Sequence, residues 1–285
     1  MQSILLIGQS NMAGRGFLDT VPPIYNEHIK MLRNGRWQMM TEPIHFDREV
    51  AGVGPAASFA QQWAIDHPEE TLGLIPCAEG GSSIEEWAPN GILMRHALSE
   101  ARFASETSEI IGVLWHQGES DSREGKYKEY ASKLKEVIQH VRQELGIADL
   151  PFIVGELGDY LGKVGFGLSS TEFAQINEAM QEAVMQTPNA YLVSAKGLTA
   201  NPDGIHIDAL SQRKFGLRYY HAFANQKNQE TFVSDEDSWV ERDAQREPSP
   251  NEKMYIQTLE FSKGKSTFEE FSQKMSEIFQ SKGAE

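Results

Sequence analysis

The chain of 285 residues has a single cysteine, Cys77, which excludes an intrachain disulfide and a zinc site built on several cysteines. Long hydrophobic runs are missing as well. The opening Met1 to Asn11 has one short apolar run with no basic segment before it, so it reads as a first strand rather than a signal peptide or membrane span. The location expected from this is cytoplasmic. Basic residues are scarce: 26 Lys and Arg face 41 Asp and Glu, a formal net charge of −15. Such a field repels phosphate, so no nucleic acid and no anionic membrane is expected as partner, and neutral substrates suit it better. Internal repeats and low-complexity tracts are absent too. What remains, 40% hydrophobic and 24% charged, is the composition of a globular protein with a real core.

Five short apolar runs read as strands: Ser3 to Ile7, Thr71 to Pro76, Glu109 to Trp115, Pro151 to Leu157 and Ala190 to Ser194. Between and after them lie segments of helical length: Gly54 to Asp66, Gly91 to Phe103, Lys126 to Leu145, Thr171 to Gln186 and Asp208 to Asn225. In the third of these, Tyr127, Tyr130, Leu134, Val137, Ile138, Val141 and Leu145 form one apolar stripe that a sheet would cover. This alternation predicts an α/β fold with right-handed crossovers over residues 1–228. Residues Asp19 to Val53, with Pro22, Pro23, Trp37, Met39, Met40 and Pro43, interrupt the first unit and read as a long ordered excursion that could wall a cleft. Residues 229–285 form a C-terminal extension in which YIQTLEF reads as an edge strand. Phe268, Phe271, Met275, Ile278 and Phe279 share a helical face there, for packing on the same domain, at a homo-oligomer interface or, as the least expected case, against a partner protein.

Candidate chemistry collects after the predicted strands, where a parallel sheet presents its loops to a ligand. The first loop is GQSNMAGRG, with Ser10 directly after strand one. Its glycines match neither GxxxxGK[ST] nor GxGxxG, which argues against a phosphate cradle, and a serine at a turn also serves as a helix cap. The last loop is NPDGIHID. Asp203 and His206 are three residues apart, close enough for a carboxylate to orient one imidazole nitrogen while the other faces a nucleophile; a local Asp–His bond in a loop is the alternative. Between them stand AEGGSS and WHQGESD, which offer glycine N–H groups and the Gln117 amide to a developing oxyanion. His116 with Glu119 or Asp121 has the residue types of a metal site but no matching His-x-His or HExxH cluster, so no metal is expected.

The order GQSNM, EGGSSIEEW, WHQGESD, DGIH resembles the SGNH/GDSL hydrolase superfamily, in its branch of sialate O-acetylesterases and carbohydrate esterase family 6 acetylxylan esterases. The resemblance runs from Gly8 to about Tyr220. It implies a three-layer α/β/α sandwich with a flavodoxin-like five-stranded parallel sheet, and a serine esterase that needs no cofactor. Matched by motif, Ser10 is the implied nucleophile, His206 the base and Asp203 its partner. The implied oxyanion donors are the Ser10 N–H, the Gly81 N–H and the Gln117 side chain. Glutamines at positions 9 and 117, where the wider superfamily has Asp and Asn, point to the carbohydrate branch, so an acetylated oligosaccharide or sugar is the implied substrate. A broad small-ester or thioester hydrolase and a non-catalytic sugar-binding protein are the alternatives. Arg15, Glu79, Trp87, His116 and Glu119, with Trp37 and Glu86, are candidate sugar-contact residues, weighed against ordinary core or surface roles.

Overall fold

The computed structural model describes residues 1–282. β1 (Gln2–Gly8) runs parallel between β4 (Leu72–Pro76) and β5 (Glu109–His116), and the ladder continues through β6 (Phe152–Gly155) to β7 (Ala190–Val193). In chain order these five stand 2-1-3-4-5, the flavodoxin-like arrangement, whose ligands bind at the carboxyl ends where the strand order reverses. The reversal lies between β1 and β5. Helix α1 (Ser10–Ala13), directly after β1, and the segment after β5 therefore flank it.

Both faces of the sheet are covered, which is why β1 reads as an unbroken apolar run rather than an alternating one. Ile4 and Leu6 face α2 (Ala56–Asp66) and α6 (Ala209–Asn225); Leu5 and Ile7 face α3 (Ile92–Ser105), α4 (Tyr127–Leu145) and α5 (Phe173–Met185). The α4 stripe is buried from Tyr130 to Val141, with Tyr127 and Leu145 packed at its margins. Gly146, in the left-handed region, ends that helix. No helix among the described residues is long and apolar enough to cross a membrane.

The structure corrects two expectations. The sheet has seven strands, not five: the excursion contributes β2 (Ile29–Arg33), parallel to β4, and β3 (Arg36–Met39), antiparallel to β2 at the edge. Asn34 and Gly35, at φ 51° and 69°, make the two-residue hairpin turn between them, a signal present in RNGR. YIQTLEF is helical rather than a strand, inside α8 (Pro250–Ser262). Ser249 caps that helix: its hydroxyl accepts from the Glu252 N–H while the Glu252 carboxylate accepts from the Ser249 N–H, and Pro250 takes the first turn. With α7 (Glu236–Ala244) and α9 (Phe268–Lys282) it completes the extension. The buried Arg218–Glu236 pair and the Trp239 indole bonded to Gln62 fasten α7 to the sheet domain, and Glu252 accepts the Glu27 N–H.

Candidate active site

Ser10 opens α1 and is 6% exposed. Its neighbour Asn11 reaches across to the last loop: the Asn11 amide donates to the Ile205 carbonyl (3.1 Å) and its oxygen accepts the Ile207 N–H (2.8 Å). Both residues flanking His206 are thus bonded to the residue after Ser10. Asn201 adds a second tie, donating from its side chain to the Arg15 carbonyl at 2.8 Å.

Within that loop the Asp203 carboxylate accepts the His206 Nδ1 proton across 2.8 Å, and its other oxygen accepts the backbone N–H groups of Ile205 and His206, both at 3.0 Å. Burial alone would raise the Asp203 carboxyl; the two backbone N–H groups and the imidazole outweigh it and hold it below the ordinary aspartate value. Gly204 makes the tight loop feasible, because a Cβ there would lie 2.3 Å from the Val164 carbonyl oxygen. With Nδ1 turned to Asp203, Nε2 is the nitrogen left for a proton acceptor's work. Asp203 and His206 line a cleft of about 590 Å³ with Arg15, Asn201 and an apolar rim that includes Phe17 and Phe166, 54% and 74% exposed.

The turn Glu79–Ser82 follows β4, and its backbone groups can be accounted for one by one. The Glu79 N–H donates to the Gly8 carbonyl (3.0 Å), the Gly80 N–H to Asp47 (2.8 Å) and the Ser82 N–H to the Glu79 carbonyl (3.3 Å). The Gly80 carbonyl accepts from Arg48, the Gly81 carbonyl from Ser120 and the Ser82 carbonyl from Gln117. Within this turn the Gly81 N–H is the one backbone donor without an acceptor among the described residues. Gly81 sits at φ +80° with open space where a side chain would be.

Gln117 is not available as expected. It is fully buried, and its two amide protons already face three acceptors: Gln9 Oε1 (3.1 Å), the Ser82 carbonyl (3.1 Å) and Asp121 (2.7 Å). Its oxygen accepts from Tyr130. It braces the loops from behind instead of donating into a cleft. The sugar-contact candidates divide similarly. Trp87 is core, with its indole bonded to Ser82 and its ring edge-on to Trp115. Trp37 lies over Gly73 on edge strand β3, and Glu86 caps a turn with Ser83. His116 and Glu119 are buried, joined at 3.1 Å, and Glu119 also accepts from Asn11 at 2.5 Å. Burial would raise the Glu119 carboxyl, but His116 and Asn11 together bring it below its ordinary value. Glu79 pairs with Arg48 at the surface, and Arg15, although at the cleft, is committed to Asp47.

Sequence reasoning passed over Asn11, Asp47, Phe17, Phe166 and Asn201. Asn11 and Asn201 stand inside quoted motifs, and neighbours of a proposed nucleophile and base were the available signal. Asp47, Phe17 and Phe166 lie in stretches with no motif at all.

The flavodoxin-like sheet, with these four loops at the carboxyl ends of its strands, is that of a carbohydrate esterase. More particularly, the chain belongs to the family described as carbohydrate esterase, sialic acid-specific acetylesterase, whose model matches residues 1–225. It is 32% identical over 249 residues to the probable carbohydrate esterase At4g34215 of Arabidopsis thaliana, covering 78% of this chain and 90% of that one. The crystal structure of the Arabidopsis protein superimposes with a TM-score of 0.71, at 29% identity over 79% of this chain and 98% of that one. NanS shares the fold at a TM-score of 0.63 and 17% identity, over 79% of this chain and 97% of its own.

Proposed function

We propose that the protein removes O-acetyl groups from an acetylated carbohydrate through a covalent acetyl-enzyme on Ser10. The observation that carries this reading is the pair of Asn11 bonds that join the His206 loop to the residue beside Ser10. They make one unit of a nucleophile and a base that are almost two hundred residues apart in the chain. Family membership and the name of the Arabidopsis relative support the carbohydrate ester as substrate.

In the first half-reaction Ser10 Oγ attacks the acetyl carbonyl carbon as its proton passes to His206 Nε2, and Asp203 stabilises the imidazolium that forms. The carbonyl oxygen becomes an oxyanion, met by the N–H groups of Ser10 and Gly81. These bonds strengthen as charge develops and so lower the barrier more than they stabilise the bound ester. Collapse breaks the bond to the sugar oxygen, which leaves with the proton from His206. Water then gives a proton to His206 as it attacks the acetyl-enzyme; the second collapse releases acetate and returns the proton to Ser10. No step calls for a cofactor.

The apolar rim at Phe17 and Phe166 favours a second reading, a small-ester hydrolase that accepts longer acyl chains. One panel separates the two: acetate release from acetylated xylo-oligosaccharides and acetylated sialic acid, beside para-nitrophenyl acetate and butyrate, by wild type and Ser10→Ala. Ser10-dependent release that is fastest from a sugar supports deacetylation. Butyrate turned over faster than every acetylated sugar would move the assignment to the small-ester class.

A further inference from the structure

We propose that Asp47 is a positioning residue for the oxyanion site, pinning the Gly80–Gly81 turn against Arg15; this rests on the esterase reading above. Asp47 lies in the excursion between β3 and α2, far in sequence from every motif, yet its side chain is 2% exposed. One carboxylate oxygen takes both the Arg15 guanidinium (2.5 Å) and the Gly80 N–H (2.8 Å), while the other lies 3.3 Å from Arg15. Arg15 donates further to the Gly14 carbonyl at 2.7 Å, immediately after α1. The carboxylate thus links the end of the Ser10 helix to the turn that carries Gly81.

The contact needs glycine at position 80. A Cβ there would come within 2.5 Å of the Arg15 guanidinium and 2.8 Å of the Asp47 oxygen, so the ion pair sits directly on bare backbone. A buried carboxylate is tolerated only with its charge compensated, which Arg15 provides, and an ionised acceptor holds an N–H more firmly than a neutral one. With the Gly80 N–H drawn inward, the Gly81 N–H is the turn's one donor without an acceptor. Without Asp47 the Gly80 N–H would seek another acceptor, and the peptide that follows would turn with it. Because the oxyanion exists only as the transition state is reached, a misdirected Gly81 N–H lowers kcat while substrate binding is little changed.

The test uses the full chain with para-nitrophenyl acetate, reading kcat and KM separately, and a boronic acid that forms a tetrahedral adduct on Ser10. Removing one buried charge risks unfolding, so the decisive variant replaces both partners with apolar residues of similar size, Arg15→Met with Asp47→Leu. Such swaps commonly preserve stability. This double variant is expected to melt near wild type, lose about 10–100-fold in kcat, keep KM within about threefold, and bind the boronic acid more weakly in proportion to kcat. Asp47→Asn keeps an oxygen that accepts the Gly80 N–H and is expected to retain more kcat than the double variant despite its unpaired Arg15. A folded double variant with wild-type kcat, or a loss confined to KM, overturns the proposal while leaving the esterase reading intact if turnover still requires Ser10. A folded wild type that neither hydrolyses the ester nor binds the boronic acid removes both.

Discussion

Ser10 and the Glu79–Ser82 turn belong to a wall in which nearly every polar group is committed: Ser10 is 6% exposed, Gln117 fully buried, and the Arg15 and Asp47 side chains 6% and 2% exposed. By contrast, the Asp203 and His206 side chains, which line the cleft, are 28% and 22% exposed on a loop whose order comes from its own hydrogen bonds and from two asparagines. The division suits the two tasks of the proposed mechanism. An oxyanion donor works by staying still while charge appears before it, so its surroundings are dry and braced. A base must exchange protons with leaving alcohol and incoming water, so it stands nearer to solvent.

The strongest way to break this comparison is to remove either half. Ser10→Ala and His206→Ala are each expected to lower kcat by about 10⁴-fold or more, and the double variant by hardly more than either alone, because in the proposed mechanism nucleophile and base act as one unit. Additive losses in steady-state kinetics would mean that the halves work independently. Asp203→Asn is expected to cost about 10²–10⁴-fold in kcat, through loss of the tautomer that leaves Nε2 free. Melting should change little, since the carboxyl is partly solvated.

The pH dependence follows from the sign of the Asp203 shift. Its folded value lies below the ordinary one, so what the ionised group contributes to stability is present above the ordinary value and lost only as pH falls through the lower one. Asp203 therefore stays ionised below the pH at which an ordinary aspartate is protonated. The acid limb of kcat/KM should follow one ionisation; a steep two-proton limb would place Asp203 in the same range.

A larger acid effect on stability belongs to the braced wall. His45, fully buried beside Asp47 and Arg15, has its pKa pushed down from 6.5 to about 4 by burial. Between those values the unfolded chain binds a proton that the folded one refuses, so stability rises with pH. Of the order of 3 kcal/mol present above pH 6.5 is lost by about pH 4. His45→Gln should flatten this part of a chemical-denaturation series; an unchanged slope would assign the acid sensitivity elsewhere.

The same contrast explains what could be read from the sequence. The loop carrying Asp203 and His206 is local, three residues apart, so its geometry was legible as a motif. The strands β1 and β4 to β7 were legible as apolar runs because both faces of that part of the sheet are covered. β2 and β3 were missed because the prolines on either side of them mark an irregular excursion and the Asn34–Gly35 turn was not read, and α8 because apolar spacing in YIQTLEF was read without its Ser249–Glu252 cap. The braced wall is the least legible part. Asp47 acts on Gly80 from 33 positions away, and no local pattern records a carboxylate that chose one glycine N–H over the next.

Gln117 gives the sharpest discrimination between the halves, because motif and geometry assign it different work. As an oxyanion donor its loss would cut kcat by about 10²–10³-fold and leave folding alone. As the brace seen here, Gln117→Ala strips Gln9, the Ser82 carbonyl and Asp121 of a shared donor and leaves Tyr130 one acceptor fewer. Buried groups left in that state cost about 1–3 kcal/mol, so the melting temperature should fall together with a smaller loss of kcat. Gln117→Glu separates the cases further. It keeps the acceptor for Tyr130 but sets a second carboxylate against Asp121, so a brace predicts a variant less stable than Gln117→Ala. A variant with unaltered melting and a hundredfold lower kcat would return Gln117 to the oxyanion site.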